Sequence, residues 1–183
     1  MGPGTGAPLL EGRPRTQTTV PVWARNGIFA RTAVAGKDVI IHLPDEMRLN
    51  PASWGPNGMA TYSSNDADYV VTPVGNGGVD VTVRNRNPFS DKESEFFIKL
   101  PTGTHLLADG NTTLVKSNDE GPQNPSRPIG AFSAPVARTS SGAPVDVAVG
   151  LTPLGEIILT PQAASLGAGD YPLETTFSYR PVD

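Results

Sequence analysis

Two histidines are the side chains best suited to acid–base chemistry in this sequence, and they stand 63 positions apart, at 42 and 105. His42 lies in a strand-like run between Ile41 and Leu43, so its ring should point away from them, toward solvent. Hydrolysis by a nucleophilic serine would also need a sharp turn to hold it, and the chain has no Gly-x-Ser-x-Gly motif. We therefore predict that the protein is not an enzyme and uses no cofactor.

Asn65, Asp66 and Asp68 place oxygen ligands close together in a loop, where Ca²⁺ could in principle bind. The later glutamate of a complete calcium loop is missing, and clustered Asp and Asn residues more commonly build turns. We predict no metal site.

Asp91, Glu93 and Glu95 alternate at the entrance of a strand. Paired carboxylates are the catalytic groups of glycosidases. On an exposed strand edge, however, carboxylates spaced by two more often keep the protein soluble and block edge pairing. We favour this second interpretation.

Five aromatic residues could form a stacking platform for sugars: Trp23, Trp54, Tyr62, Tyr69 and Phe89. The chain has only twelve aromatic residues, six Phe, four Tyr and two Trp. Most of these are needed for the core, so carbohydrate binding is an alternative and not our first expectation.

Composition and charge narrow the function classes. The net charge is −4, with the two signs mixed and no Lys/Arg cluster, so direct binding of nucleic acid is not expected. No apolar run approaches the ~18 residues of a membrane span, and we expect no membrane contact. The start of the chain has neither the positive region nor the apolar core of a secretory signal, and there is no Cys for disulfides.

Residues 1–19 have no apolar period of either kind and are rich in Gly and Pro, which predicts an extended N-terminal arm ahead of a single domain over residues 20–183. Such an arm has little of its own to pack, so we expect it to bind a partner protein. The predicted partner-binding residues of the arm are Pro8, Leu9, Leu10, Arg13, Pro14 and Arg15.

From Val20 onward the chain is a series of about a dozen short β-type runs separated by turn residues, and it has no amphipathic segment long enough for a helix. With 20 Gly and 19 Pro among 183 residues, this spacing predicts an all-β fold. We expect an antiparallel β-sandwich of immunoglobulin-like or jelly-roll type with long Pro/Gly-rich loops.

Individual strands are predicted at several positions. Asn26-Gly27 predicts a two-residue hairpin between residues 20–25 and 28–34. Strands are also expected over residues 131–138 and 145–151, the latter with alternating valines, and the stretch 45–58 should be a long loop with at most one helical turn. The other predicted strands are residues 38–43, 59–63, 69–74, 79–84, 95–100, 104–108, 112–116, 156–160 and 171–179.

The C-terminal region resembles the final strand of many bacterial and viral immunoglobulin-like sandwiches. A small-residue turn over residues 166–170 and Tyr171 lead into a long strand in which Leu173, Thr175, Phe177 and Tyr179 alternate with other residues. The resemblance covers about fifteen residues and implies the fold only.

Three function classes remain. We expect a structural protein of an assembled particle, such as a head decoration or minor capsid subunit of a tailed bacteriophage, located in the virion and bound to other protein subunits of the capsid or to copies of itself. The alternative is a secreted adhesin, pilin-like or carbohydrate-binding sandwich domain, located outside the cell or on its surface. An enzyme on a β-sandwich or jelly-roll scaffold comes last, because two histidines cannot supply the usual metal-binding cluster.

Overall fold

The computed structural model describes residues 18–34, 36–89, 93–118 and 127–182. The described residues form fifteen strands and, apart from five single 3₁₀ turns, no helix. In chain order the strands are β1 (Ile28–Arg31), β2 (Asp38–His42), β3 (Ser53–Trp54), β4 (Ala60–Ser63), β5 (Ala67–Val74), β6 (Gly78–Asn85), β7 (Ser94–Lys99), β8 (Thr104–Asp109), β9 (Thr112–Ser117), β10 (Pro128–Phe132), β11 (Val136–Arg138), β12 (Pro144–Val145), β13 (Val147–Leu151), β14 (Glu156–Pro161) and β15 (Leu173–Pro181).

The strands form two antiparallel sheets that pack face to face. Sheet A has the order β1-β2-β7-β14-β13. Sheet B has the order β3-β4-β5-β6-β15-β10-β9-β8, and β11 joins it by pairing with β15 and with β12. The predicted all-β antiparallel sandwich is therefore confirmed.

The core lies between the sheets because residues alternate between the two faces of each strand. In β2 the alternation buries Val39 and Ile41, and in β15 it buries Leu173, Thr175, Phe177 and Tyr179, as predicted. Aromatic rings join the sheets: Phe96 of sheet A meets Phe177 of sheet B edge to face at 4.8 Å between ring centroids. Phe132 then contacts both Phe177 and Tyr179, so the rings form one continuous cluster.

The predicted hairpin at Asn26-Gly27 is wrong. Residues 24–26 form a 3₁₀ turn, and β1 pairs with β2 instead of with residues 20–25. Phe29 is opposite Thr19, across a longer loop. The reason lies in tertiary contacts: the hydroxyl of Tyr62 donates to the carbonyl of Pro21, and the amide of Ala52 donates to the carbonyl of Val22, so this segment is bound to sheet B.

Two predicted strands are each divided in the structure. Residues 131–138 contain the end of β10 and all of β11, separated by residues 133–135. Residues 145–151 change sheet at Asp146: Val145 pairs with Ala137 in sheet B, whereas Val147 pairs with Pro161 in sheet A. Alternating valines identify strands but do not show which sheet each half joins.

The remaining predicted strands are confirmed within one or two residues at each end. The long loop over residues 45–58 contains the expected helical turn, Glu46–Arg48, and in addition the short strand β3 and a second 3₁₀ turn. None of the helical segments in the described part of the chain is long and apolar enough to cross a membrane.

Candidate functional site

The two histidines lie in different sheets and do not form a joint site. His42, on the outer side of β2, forms a 2.7 Å hydrogen bond through Nδ1 to the Glu46 carboxylate, and its ring stacks on Phe97 with centroids 5.8 Å apart. This arrangement fixes the turn that follows β2. His105, on β8, is bonded through Nδ1 to the side-chain oxygen of Asn118 at 2.5 Å. Both rings stabilise local structure in these contacts.

The Asn65–Asp68 region is organised as a turn around an ion pair. The Ser63 hydroxyl donates to the Asp68 carboxylate at 2.7 Å, and Arg86 forms an ion pair with the same oxygen. Arg86 also donates to the carbonyl of Ser64. A guanidinium therefore already neutralises the carboxylate that a cation would need. No cluster of three or more potential metal ligands occurs in residues 18–34, 36–89, 93–118 and 127–182.

The acidic residues near β7 do not form a catalytic pair in the described residues. Glu95 is exposed on the outer face of β7, opposite Ile158, and Glu93 is exposed just before the strand. Asp91 lies outside the described residues.

The five aromatic residues considered for sugar stacking separate into two groups. Tyr62 and Tyr69 are buried in the core and cannot contact a ligand. Trp23, Trp54 and Phe89 are exposed, and the guanidinium of Arg25 lies over the Trp23 ring at 4.6 Å. Only the two tryptophans stand on neighbouring segments, because the hydrogen bond from Ala52 to Val22 brings their loops together.

The two buried tyrosines hold elements together. Tyr179, on β15 of sheet B, donates its hydroxyl to the carbonyl of Arg31 in sheet A at 2.7 Å. Burial raises the pKa of both Tyr62 and Tyr179 well above that of a free phenol, and the negative charge of Asp38 adds to the shift at Tyr179. Both phenols are structural hydrogen-bond donors.

The predicted partner-binding residues of the arm, Pro8, Leu9, Leu10, Arg13, Pro14 and Arg15, lie outside the described residues. The last two residues of the arm are described, and both attach to the domain. Thr19 pairs with Phe29 at the edge of β1, and the Thr18 hydroxyl donates to the carbonyl of Gly78 at 2.7 Å. The arm therefore leaves the domain beside the β5–β6 hairpin.

The solvent-facing side of sheet A carries an apolar surface that we call the apolar face, composed of Phe29, Ile40, Phe97 and Ile158. Phe29 is directly opposite Ile40, and Phe97 is diagonal to both Ile40 and Ile158 in the strand register. Phe97 is 41% exposed, and the other three are partly exposed. The outer side of an antiparallel sheet is usually polar, so this face is unusual.

The outer side of sheet B shows the usual pattern. The hydroxyls of Thr82 and Thr176 are 2.7 Å apart across neighbouring strands. Ion pairs join Asp80 to Arg180 at 2.9 Å and Arg84 to Glu174 at 3.9 Å. Sheet B is thus adapted to water, whereas sheet A presents apolar side chains.

Our interpretation of the sequence missed the apolar face, although the sequence contains a signal for it. Four strands of sheet A carry two adjacent apolar residues: Ile28-Phe29, Ile40-Ile41, Phe96-Phe97 and Ile157-Ile158. Since side chains alternate along a strand, such a pair always places one residue inside and one outside. The strand register then brings the four outer residues together.

Comparisons of the chain with protein-family models, with curated proteins and with solved structures found no match.

Proposed function

We propose that the protein is a non-enzymatic structural subunit of an assembled particle, specifically a head decoration or minor capsid protein of a tailed bacteriophage. It binds other protein subunits through its arm and its sheet edges. The observation that supports this proposal most directly is the apolar face of sheet A. Burying Phe97 and its neighbours against another subunit removes apolar surface from water, which is the main driving force of subunit association.

The sheet edges support the same proposal. Among the described residues, β8 ends sheet B and β13 ends sheet A, so each has one side without a neighbouring strand. The six-residue edge β8 also exposes Leu107. An edge of this kind accepts an extended segment of another protein by main-chain hydrogen bonding.

Charge favours protein partners over the genome. The chain has a net charge of −4, and the outer side of sheet B pairs its arginines with carboxylates. A subunit on the outside of a shell needs no phosphate contacts, so these properties suit a decoration protein in the virion.

The test is the sedimentation of the native protein. Antibodies raised against the purified 19.2 kDa chain would be used to probe density-gradient fractions of lysates that produce it. We expect the chain in fractions containing intact phage particles, at a fixed ratio to the major shell protein. Its recovery only as free protein, in the culture medium or on the cell surface would contradict the proposal.

The exposed tryptophans favour one second candidate, a secreted adhesin or carbohydrate-binding domain. Trp23 and Trp54 stand on loops joined by a hydrogen bond, and flat exposed indoles stack on sugar rings. This candidate predicts that the purified chain binds a glycan array and that Trp23→Ala and Trp54→Ala abolish binding. Phe89→Ala, which removes an isolated exposed ring, is the control. An array without signal would exclude the candidate.

A further inference from the structure

An open cleft of about 550 Å³ lies where the two sheets meet near β8. One wall is the end of β7 and its crossover to β8, and the other is the turn between β13 and β14, residues 151–155. The amide of Ile98 donates to the carbonyl of Gly155 at 2.9 Å, which fixes the turn against β7. The apolar side chains that line the cleft are Phe97, Leu100, Leu106, Leu151, Pro153 and Leu154.

The cleft is accessible and continues the apolar face. Phe97 belongs to both surfaces, and Leu154 at the other wall is 77% exposed. Leu106 and Leu151 are partly buried and pack against the core, so they form a fixed floor. An extended segment with large apolar side chains would find a preformed site here.

Lysine side chains surround this cleft in a protein of net negative charge. Lys99 lines it, and the Lys37 ammonium donates to the carbonyl of Thr102 in the crossover at 3.2 Å. Lys116 is opposite His105, which also lines the cleft. Three of the four lysines of the chain are thus at this end of the molecule. Glu156 is also nearby, and its carboxylate accepts a hydrogen bond from Thr152.

The arm contains one segment that complements this site. Apart from Met1, the only large apolar residues among residues 1–17 are Leu9 and Leu10, and they are followed by the only carboxylate there, Glu11. Two leucines suit the apolar floor, and a carboxylate suits the lysine rim. Pro8 precedes them and restricts the backbone to extended conformations, which lowers the entropy lost on binding.

The direction of the arm points to a neighbouring copy. Thr18 attaches near Gly78 and lines a groove with Pro73 and Val74, on the β5 side of sheet B. The cleft is at the β8 side, five strand spacings away, or about 24 Å. Leu9 precedes Thr18 by nine residues, which span at most about 30 Å when fully extended. The arm would reach its own cleft only by running straight back across the domain.

We propose that Leu9, Leu10 and Glu11 of one copy bind the cleft of a second copy. This deepens the proposed function, on which it rests, by naming the arm's partner as the chain itself. Because arm and cleft are on different sides of the molecule, the contact is head-to-tail, and repetition links copies into rings or chains instead of closed pairs.

The test measures self-association of the full chain by sedimentation velocity over a range of concentrations. We expect Leu9→Ser/Leu10→Ser and Leu154→Ser to weaken association at least about tenfold, since each removes buried apolar surface from the contact. Val136→Ser is the matched control, because Val136 is 50% exposed on β11 and outside the cleft. The melting temperatures of all variants should agree, which excludes misfolding.

A mixture of the two defective variants gives the sharpest result. The arm variant keeps an intact cleft, and the cleft variant keeps an intact arm, so an equal mixture should form heterodimers but nothing larger. Unchanged association of the single variants, a mixture that stays monomeric, or a parent chain that is monomeric at every concentration would each overturn the inference.

Failure of this inference is distinguishable from failure of the proposed function. A chain that self-associates through the cleft but is missing from particle fractions would contradict only the particle proposal. A chain that is found on particles but never self-associates would contradict only the arm–cleft contact.

Discussion

Thr175 is the residue whose environment fits its chemistry least well. Its hydroxyl is buried on the inner side of β15 and has no hydrogen-bond partner among the described residues. Its cross-strand neighbours are Val83 and Ala137, both apolar and buried. A buried hydroxyl without a partner costs free energy, so this position lowers the stability of the fold.

Thr175→Val should therefore leave the free energy of unfolding unchanged or raise it by about 1 kcal/mol. Thr82→Val is the matched control, because it removes a hydroxyl that is paired with Thr176. We expect that control to lose about 0.5–1 kcal/mol. Urea unfolding measures both. A loss above about 1 kcal/mol at position 175 would show that its hydroxyl does have a partner.

The two buried tyrosines predict a loss of stability at high pH. Their pKa values are raised in the folded protein, whereas the unfolded chain has phenols of pKa about 10. Above pH 10 the unfolded state binds fewer protons than the folded state, so the free energy of unfolding falls as pH rises. Below about pH 9 these groups should add no pH dependence.

Urea midpoints between pH 8 and pH 11 measure this effect. The double variant Tyr62→Phe/Tyr179→Phe should be less stable at pH 8, because it loses the hydrogen bonds to Pro21 and Arg31. Its stability should then fall less steeply above pH 10. An equally steep fall would assign the alkaline loss to other groups.

At the level of elements, the three Asn-Gly pairs of the chain behave differently. Asn76-Gly77 and Asn57-Gly58 have positive φ at both residues and turn β5 into β6 and β3 into β4. At Asn26-Gly27 only the glycine has a positive φ. The local preference is the same in all three, so contacts of the preceding segment with sheet B decide which pair forms a hairpin.

Gly130 is a second element-level constraint, because β10 passes close to a buried ring. A Cβ at Gly130 would overlap the hydroxyl of Tyr179, which bonds to Arg31 of the other sheet. Gly130→Ala should therefore lower the free energy of unfolding by about 2–3 kcal/mol.

Gly150→Ala is the control for this prediction. Its Cβ would be at an ordinary 3.7 Å from Ile158 in a strand of similar length, so no loss is expected. Adding Tyr179→Phe to Gly130→Ala should cost less than it does in the parent chain, since the overlap is then relieved. Thermal and urea unfolding would show whether the two effects are instead additive.

At the level of the whole molecule, the two sheets present different surfaces. Sheet B is covered with paired charges and hydroxyls, whereas sheet A presents the apolar face and leads into the cleft. The arm leaves on the β5 side and the cleft opens on the β8 side. One molecule thus carries complementary features on two sides, which suits repeated assembly.

Truncation of the arm should separate its structural part from its binding part. Deleting residues 1–17 should leave the melting temperature at low micromolar concentration nearly unchanged. Deleting residues 1–19 should lower it by a few degrees, because the second truncation also removes the Thr19–Phe29 pair and the bond from Thr18 to Gly78. Calorimetry of the two truncated chains measures the difference. Equal melting temperatures would show that residues 18 and 19 add nothing to the stability of the domain.

The sequence by itself determined the fold class and nearly all strand positions, because alternation of apolar residues and turn-forming Gly, Pro and Asn are local properties. It also indicated that His42 faces outward. Only the tertiary structure decided that the outer residues Phe29, Ile40, Phe97 and Ile158 form one surface, that the chain changes sheet at Asp146, and that Asn26-Gly27 forms no hairpin. Each of these depends on the register and pairing of strands distant in sequence, which no local pattern specifies.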